Sequence, residues 1–253
     1  MKTIVFALAL LGGFLSTLGR EVLIVADEFP AMEVVAAKLK SDAQISSQIV
    51  KQADMPSNLG KFEGVIVYIH GALSEHAENA FIDYSQAGGK LVLLHHSISS
   101  GKRKNTHWFS FLGVSLPEGD VAKGGYKWIE GVNLSLVNLN PNHFIMTNRV
   151  TWPEQIAWST DSATSTSSLP GFSLQGTEVY LNHIHTEHHT LLMGFKYDFE
   201  NDGRKKTYMQ STAGWVKKAG KGWVIYLMPG HTKHDFETAE YGQIVENAVI
   251  WKP

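Results

Sequence analysis

The 253-residue sequence contains no cysteine. That one absence excludes disulfides, thiolate metal centres and a cysteine nucleophile. Charge is scarce as well: 18% of residues are charged and the formal net charge is -2, so the chain carries no electrostatic footprint for nucleic acid. Its one basic run, Lys102-Arg103-Lys104, reads as a solvated loop. The apolar run from Ile4 to Leu11 stops at Gly12-Gly13, which is short for a membrane span. With Lys2 ahead of it and Thr17-Leu18-Gly19 behind it, residues 1–19 read as a secretory signal peptide. The mature chain is therefore expected to be exported, periplasmic or secreted, meeting a membrane only through that segment. A chain without cysteine meets no folding obstacle in an oxidising compartment.

What remains, 20–253, is 43% hydrophobic over the full chain and suits a single globular domain. The expected class is α/β, because short apolar runs alternate with helical periodicity. Val22–Ala26, Val65–Ile69, Lys90–Leu94 and Trp223–Leu227 read as strands buried on both faces, as in a parallel sheet. Met32, Val35, Ala36 and Leu39 recur at helical spacing after Pro30. Ser74 is a credible N-cap for a helix that stops at Gly88, Thr106 for a short helix over 107–112, and the last helix runs from Thr238 to about Trp251. Ile45–Val50 alternates like an edge strand. Tyr126–Leu136 alternates too, which points to an antiparallel extension, and Lys217–Gly222 reads as a hairpin turn. The serine- and threonine-rich stretch 159–168 reads as a loop.

The compositional oddity is 12 histidines, and many stand at strand ends. Asp27, His70, His95 with His96, and His231 each follow an apolar run within a few residues. Ligands bind outside the carboxyl ends of parallel strands, so neighbouring strands would gather these side chains around one crevice. Such a set supports two chemistries. Imidazole beside carboxylate does general acid/base work near neutral pH. The same groups can hold a divalent ion such as zinc, with His95, His96 and His231 as ligands. His183 and His185 share a face if extended and also have ligand spacing, although a solvated turn explains them better. Ser97 is a conceivable hydroxyl nucleophile, without the Gly-x-Ser-x-Gly context that would support it.

Several stretches together, Gly88-Gly89-x-x-Val92-x-Leu94-His95-His96, Asn140-Pro141-Asn142-His143, Thr177-Glu178-Val179-Tyr180, Gly220-Lys221-Gly222-Trp223 and Pro229-Gly230-His231-x-x-His234-Asp235, resemble the ThuA-like (trehalose utilisation) family. The resemblance spans Val22 to Trp251. It implies a flavodoxin-like, class I glutamine amidotransferase-like fold: a mostly parallel sheet with helices on both faces. It places His95 at the position of that superfold's nucleophile elbow and His231 at its later histidine. Without cysteine, thioester amidotransferase chemistry is excluded. The resemblance also implies a small carbohydrate as partner, an oxidised keto-sugar or glycoside being the class considered. Isomerase, lyase and hydrolase outcomes stay open. On this reading His95 or His96 is the base, His231 the acid, and Asp27 and Glu178 orient them. His70, Tyr180, Trp108 and His234 would touch substrate, with Trp108 stacking on a sugar face. Phe144 follows His143 where the family has proline, which weakens transfer of a role to that histidine. A non-catalytic sugar-binding module and a divalent-metal hydrolase are the alternatives, and a homo-oligomer is compatible with either.

Overall fold

The structure, a computed structural model, describes residues 20–159, 166–201 and 204–253. The expected signal segment 1–19 and residues 160–165 of the serine- and threonine-rich stretch lie outside the described residues. In chain order the first elements are β1 (Glu21–Ala26), α1 (Pro30–Ala43), β2 (Ser46–Val50), β3 (Gly64–Tyr68), α2 (Glu75–Gln86) and β4 (Lys90–Leu94). There follow α3 (Trp108–Leu112), β5 (Val114–Ser115), β6 (Lys127–Asn138), α4 (Phe144–Thr147), β7 (Glu154–Trp158), β8 (Ser167–Leu181) and β9 (Ile184–His185). The chain closes with β10 (Thr190–Asn201), β11 (Arg204–Ala219), β12 (Gly222–Leu227), α5 (Lys233–Glu237) and α6 (Ala239–Ile250).

The predicted punctuation works as chemistry. Pro30 opens α1, where a missing N–H costs nothing, and the Ser74 hydroxyl accepts the Ala77 N–H at the start of α2. Gly88 (φ +123) turns the chain from α2 into β4. Thr106 does not cap α3; the residue ahead of that helix is His107, which makes no side-chain cap. Ser167 and Ser168 belong to β8 rather than to a loop, paired with Trp158 and Ala157.

Ten strands form one sheet in the order β2-β1-β3-β4-β12-β11-β10-β6-β8-β7. The first five are parallel, and from β11 onward every pairing is antiparallel. The sheet is thus evenly mixed rather than mostly parallel. The cause lies in the long alternating strands β6, β8, β10 and β11, which form antiparallel ladders outside the buried parallel half. β5 and β9 pair separately. α1 packs on α5 and α6, whereas α2 packs on β4 and β12. β1, β3, β4 and β12 are buried along nearly their whole length, as their unbroken apolar runs require, while the edge strand β2 is exposed or half-buried. Among the described residues no helix is long and apolar enough to cross a membrane.

Two features of this frame place the site. β1, β3, β4 and β12 are neighbours running the same way, so their carboxyl ends open on one edge. The β6–β8 ladder carries register shifts between Glu130 and Val132 and between Val132 and Leu134. Gly131 (φ +68) and Gly176 (φ +65) lie at this irregularity, where only glycine adopts the backbone freely. Past it the ladder leaves β10, which pairs with β6 only over Ser135–Asn138, and its end reaches the mouth of the parallel strands. There the Thr177 hydroxyl donates to Asp235 Oδ2 at 2.7 Å.

Candidate functional site

β4 ends in an abrupt turn at His95, which has φ +46 although it is not glycine. Such a conformation is uncommon for an imidazole residue and persists only where the surroundings enforce it. Here they do. The Tyr226 hydroxyl donates to the His95 carbonyl at 3.1 Å, and His95 Nδ1 lies 2.6 Å from the Met228 carbonyl. A carbonyl only accepts, so Nδ1 carries a proton, and Nε2 points the other way.

There Nε2 meets Glu178, delivered by the bent end of β8. His95 Nε2 is 2.7 Å from Glu178 Oε2, His231 Nδ1 is 3.1 Å from the same oxygen and His96 Nε2 is 3.4 Å from it. His95 Nε2 and His231 Nδ1 are 3.3 Å apart. The Tyr180 hydroxyl donates to Glu178 Oε2 at 3.1 Å, and its ring stacks on His95 at 4.9 Å between centroids. His95 and Glu178 are buried, while His96 and His231 are partly exposed and form the open side.

The electrostatics follow from this crowding. Burial pushes the Glu178 carboxyl upward, but hydrogen bonds from His231, His95 and His96 override it and hold the group far below the ordinary carboxylate range. The hydrogen bond to Glu178 raises His231, against the opposing effect of burial. Burial dominates at His96, pulling it down to about 3, and its Nδ1 is buried without a hydrogen-bond partner. Tyr180 is raised well above its ordinary value by burial and by the Glu178 charge, so it stays a hydroxyl donor.

The donor set fits a metal ion. One atom each from His95, His96, Glu178 and His231 lies within 4.8 Å of all the others. Nitrogen and oxygen donors at ~2.1 Å around a tetrahedral or octahedral ion stand about 3.0–3.4 Å apart. Three of the contacts above fall in that range, and the His95–Glu178 contact is the one an ion would widen. The His95 bond to the Met228 carbonyl is the backbone support that metal-bound imidazoles usually have.

Asp27 joins His70, not His95. Asp27 Oδ1 is 2.9 Å from His70 Nδ1, and Oδ2 accepts the His70 backbone N–H at 2.7 Å. Burial opposes ionisation of Asp27, yet the His70 hydrogen bonds leave it below its ordinary value. This pair stands between the ends of β1 and β3, and the His70 ring lies 3.7 Å from that of His96. The predicted crevice therefore exists as two adjoining groups.

Other expectations fail for physical reasons. Trp108 is fully buried, with its indole N–H donating to the Ser97 carbonyl at 2.8 Å, so it has no face to offer a sugar. The Ser97 hydroxyl is buried too and donates to the Val67 carbonyl. His234 is exposed on α5 with Glu237 as its neighbour, and no contact brings it to the cluster. His143 caps α4 by accepting the Ile145 N–H. His183 and His185 do not join a metal-binding group among the described residues. Lys102 is not solvated: it is fully buried, and its ammonium donates to the carbonyls of Ile69, His96 and His70 at 2.6, 2.9 and 3.3 Å. It thereby ties the loops after β3 and β4 together. Tyr226 and Lys102 escaped sequence reasoning because one reads as core and the other as surface.

The fold has solved relatives at low identity. A putative ThuA-like protein from Bacteroides uniformis aligns with a TM-score of 0.62 at 16% identity, over 90% of this chain and 89% of that one. A cytoplasmic protein from Salmonella typhimurium LT2 gives 0.57 at 13% identity, over 90% and 98%. Agd3, a carbohydrate deacetylase, gives 0.55 at 14% identity, with 92% of this chain covering 32% of that one. No curated protein matches the sequence. The ThuA family model, described as trehalose utilisation, matches residues 22–252, and the chain belongs to that family.

Proposed function

We propose that the chain acts on a sugar, a keto-sugar or glycoside, at a divalent-metal centre made by His95, His96, His231 and Glu178. The observation that carries this reading is the convergence of three imidazole nitrogens on one buried carboxylate oxygen, with the innermost ring oriented by a backbone carbonyl. The ThuA match supports the carbohydrate. Zinc, or another ion with the same ligand preference, would polarise a sugar carbonyl or hydroxyl oxygen as a Lewis acid. Tyr180 holds the Glu178 carboxylate in place. Asp27 holds a proton on His70 Nδ1, so Nε2, 3.8 Å from Glu28 Oε2, is the nitrogen that would take a proton from a hydroxyl or from carbon beside a carbonyl. Proton removal of this kind is the shared first step of isomerase and lyase outcomes, and proton removal from water serves a hydrolase. The strand order of the parallel half, β2-β1-β3-β4-β12, supports the flavodoxin-like expectation. Export rests on residues 1–19 alone.

The test is metal analysis of protein purified without a histidine tag, followed by chelation and an activity screen on sugars and their 3-keto forms. One ion per chain, with activity lost on chelation and restored by the ion, is the expected result. A chain that turns sugars over with no metal would instead favour a second reading, proton transfer by imidazole alone. The partly exposed His231, hydrogen-bonded to Glu178 at the mouth, is placed for that role. Sugar bound and released unchanged under every condition would make the chain a binding module.

A further inference from the structure

Beside the His/Glu cluster lies a cleft of about 650 Å³, lined by Arg103, Glu118, Tyr126, Lys127, Trp128 and Glu130 among others. The β6–β8 register explains why it adjoins the site. Trp128 stands opposite Tyr180, and Glu130 opposite Glu178. Directly opposed residues in an antiparallel ladder put their side chains on the same face, with Cβ atoms about 4.5–5.5 Å apart. Trp128 and Glu130 therefore continue, on the neighbouring strand, the face that supplies the cluster.

Three properties of the cleft point to its occupant. Trp128 is 50% exposed, one of three large hydrophobic residues so exposed among those described, and the others, Phe144 and Ile184, do not line this cleft. The charges balance, two cationic residues against two anionic ones, with Arg103 Nη1 paired to Glu118 Oε1 at 2.8 Å. That balance offers nothing specific to an anion such as phosphate and suits a neutral polyol, whose hydroxyls both donate and accept. Tyr126 gives the cleft an aromatic wall, its ring 6.0 Å from that of Tyr180 in the neighbouring cluster.

We infer that this cleft is the second sugar subsite, in which Trp128 stacks on the ring of a neutral glycoside whose first ring sits at the His/Glu cluster. The substrate is then a disaccharide or larger glycoside rather than a free monosaccharide. The inference rests on the carbohydrate reading but not on the metal.

Calorimetric titration of the full chain with glucose, maltose and trehalose, and with 3-keto forms of both disaccharides, tests it. Trp128→Ala should weaken disaccharide binding roughly tenfold and glucose binding less than about twofold, with Trp128→Phe recovering most of the loss. Metal content should match that of the wild type, since Trp128 supplies no ligand. Equal loss for glucose and disaccharides, or no loss for either, would overturn the subsite while leaving a sugar substrate in place. If no sugar binds the wild-type protein although the ion does, the carbohydrate reading falls and takes the subsite with it. Disaccharide binding that depends on Trp128 in protein that takes up no ion even at saturating zinc would remove the metal centre and leave the subsite standing.

Discussion

The described residues hold two groups of histidines, and only one has the makings of a site. His95, His96 and His231 surround a carboxylate. His183, His185 and His189 surround none: His189 bonds the carbonyls of Leu112 and Glu187, while His183 Nε2 and His185 Nε2 are buried without partners. The His185 and His189 rings lie 4.2 Å apart, and His189 packs edge-on against Trp215. Burial holds His183 and His185 neutral, lowering them to about 3 and 4. The comparison teaches that histidine density alone does not make a site. One buried anion turns a group of packed rings into a set of ligands, because it compensates the positive charge the others would share.

The sharpest way to break the comparison is to remove the anion. Glu178→Ala should abolish metal retention, with at least about a hundredfold loss of any metal-dependent activity. Triple replacement of His183, His185 and His189 should leave metal content unchanged. Next in size is Lys102→Met. It leaves three buried carbonyls without their donor and should cost about 3 kcal/mol in chemical denaturation. It should also loosen His70 and His96, whose loops Lys102 joins, and so lower metal affinity, which no change in the second cluster does.

Within the second cluster the two kinds of histidine should separate. His189→Phe removes the ring N–H that one of the Leu112 and Glu187 carbonyls accepts and should cost about 1–2 kcal/mol, whereas His183→Phe deletes an unpartnered nitrogen and should cost less than about 1 kcal/mol. The pH dependence follows with a definite sign. His183 and His185 titrate lower in the folded chain than in the unfolded one, so below about pH 6.5 the unfolded state binds more protons. Stability should therefore fall as pH drops from about 6.5 toward 4, and His183→Phe should flatten that limb. The smallest effect is at Asp27, whose folded value is lowered. Its contribution is present above the ordinary aspartate range and is lost as pH falls through the folded value, so Asp27→Asn should trim only the most acidic part of the curve.

The parallel half was legible because strands buried on both faces leave unbroken apolar runs, and residues just beyond them had to line one edge. His70, His95, His96 and His231 do lie together beyond those strand ends. It could not say that Asp27 turns to His70, since a strand end fixes where a side chain starts and not which neighbour it reaches. Glu178 and Tyr180 came from the family resemblance. Their approach depends on a bend at Gly131 and Gly176, and a pair of glycines in alternating strands does not announce its direction. Lys102 and Trp108 were misread for one shared reason: composition assigns lysine to water and an aromatic beside a loop to a ligand, whereas a lysine with three carbonyl acceptors can be buried and an indole with one acceptor can pack as core.

The most direct test of the central claim is anomalous diffraction from crystals of the chain grown with zinc. The account predicts a single strong peak within about 2.0–2.2 Å of His95 Nε2, His96 Nε2, His231 Nδ1 and Glu178 Oε2. Density at His183, His185 and His189 instead, or a His/Glu cluster that stays free of metal at saturating zinc, would contradict it.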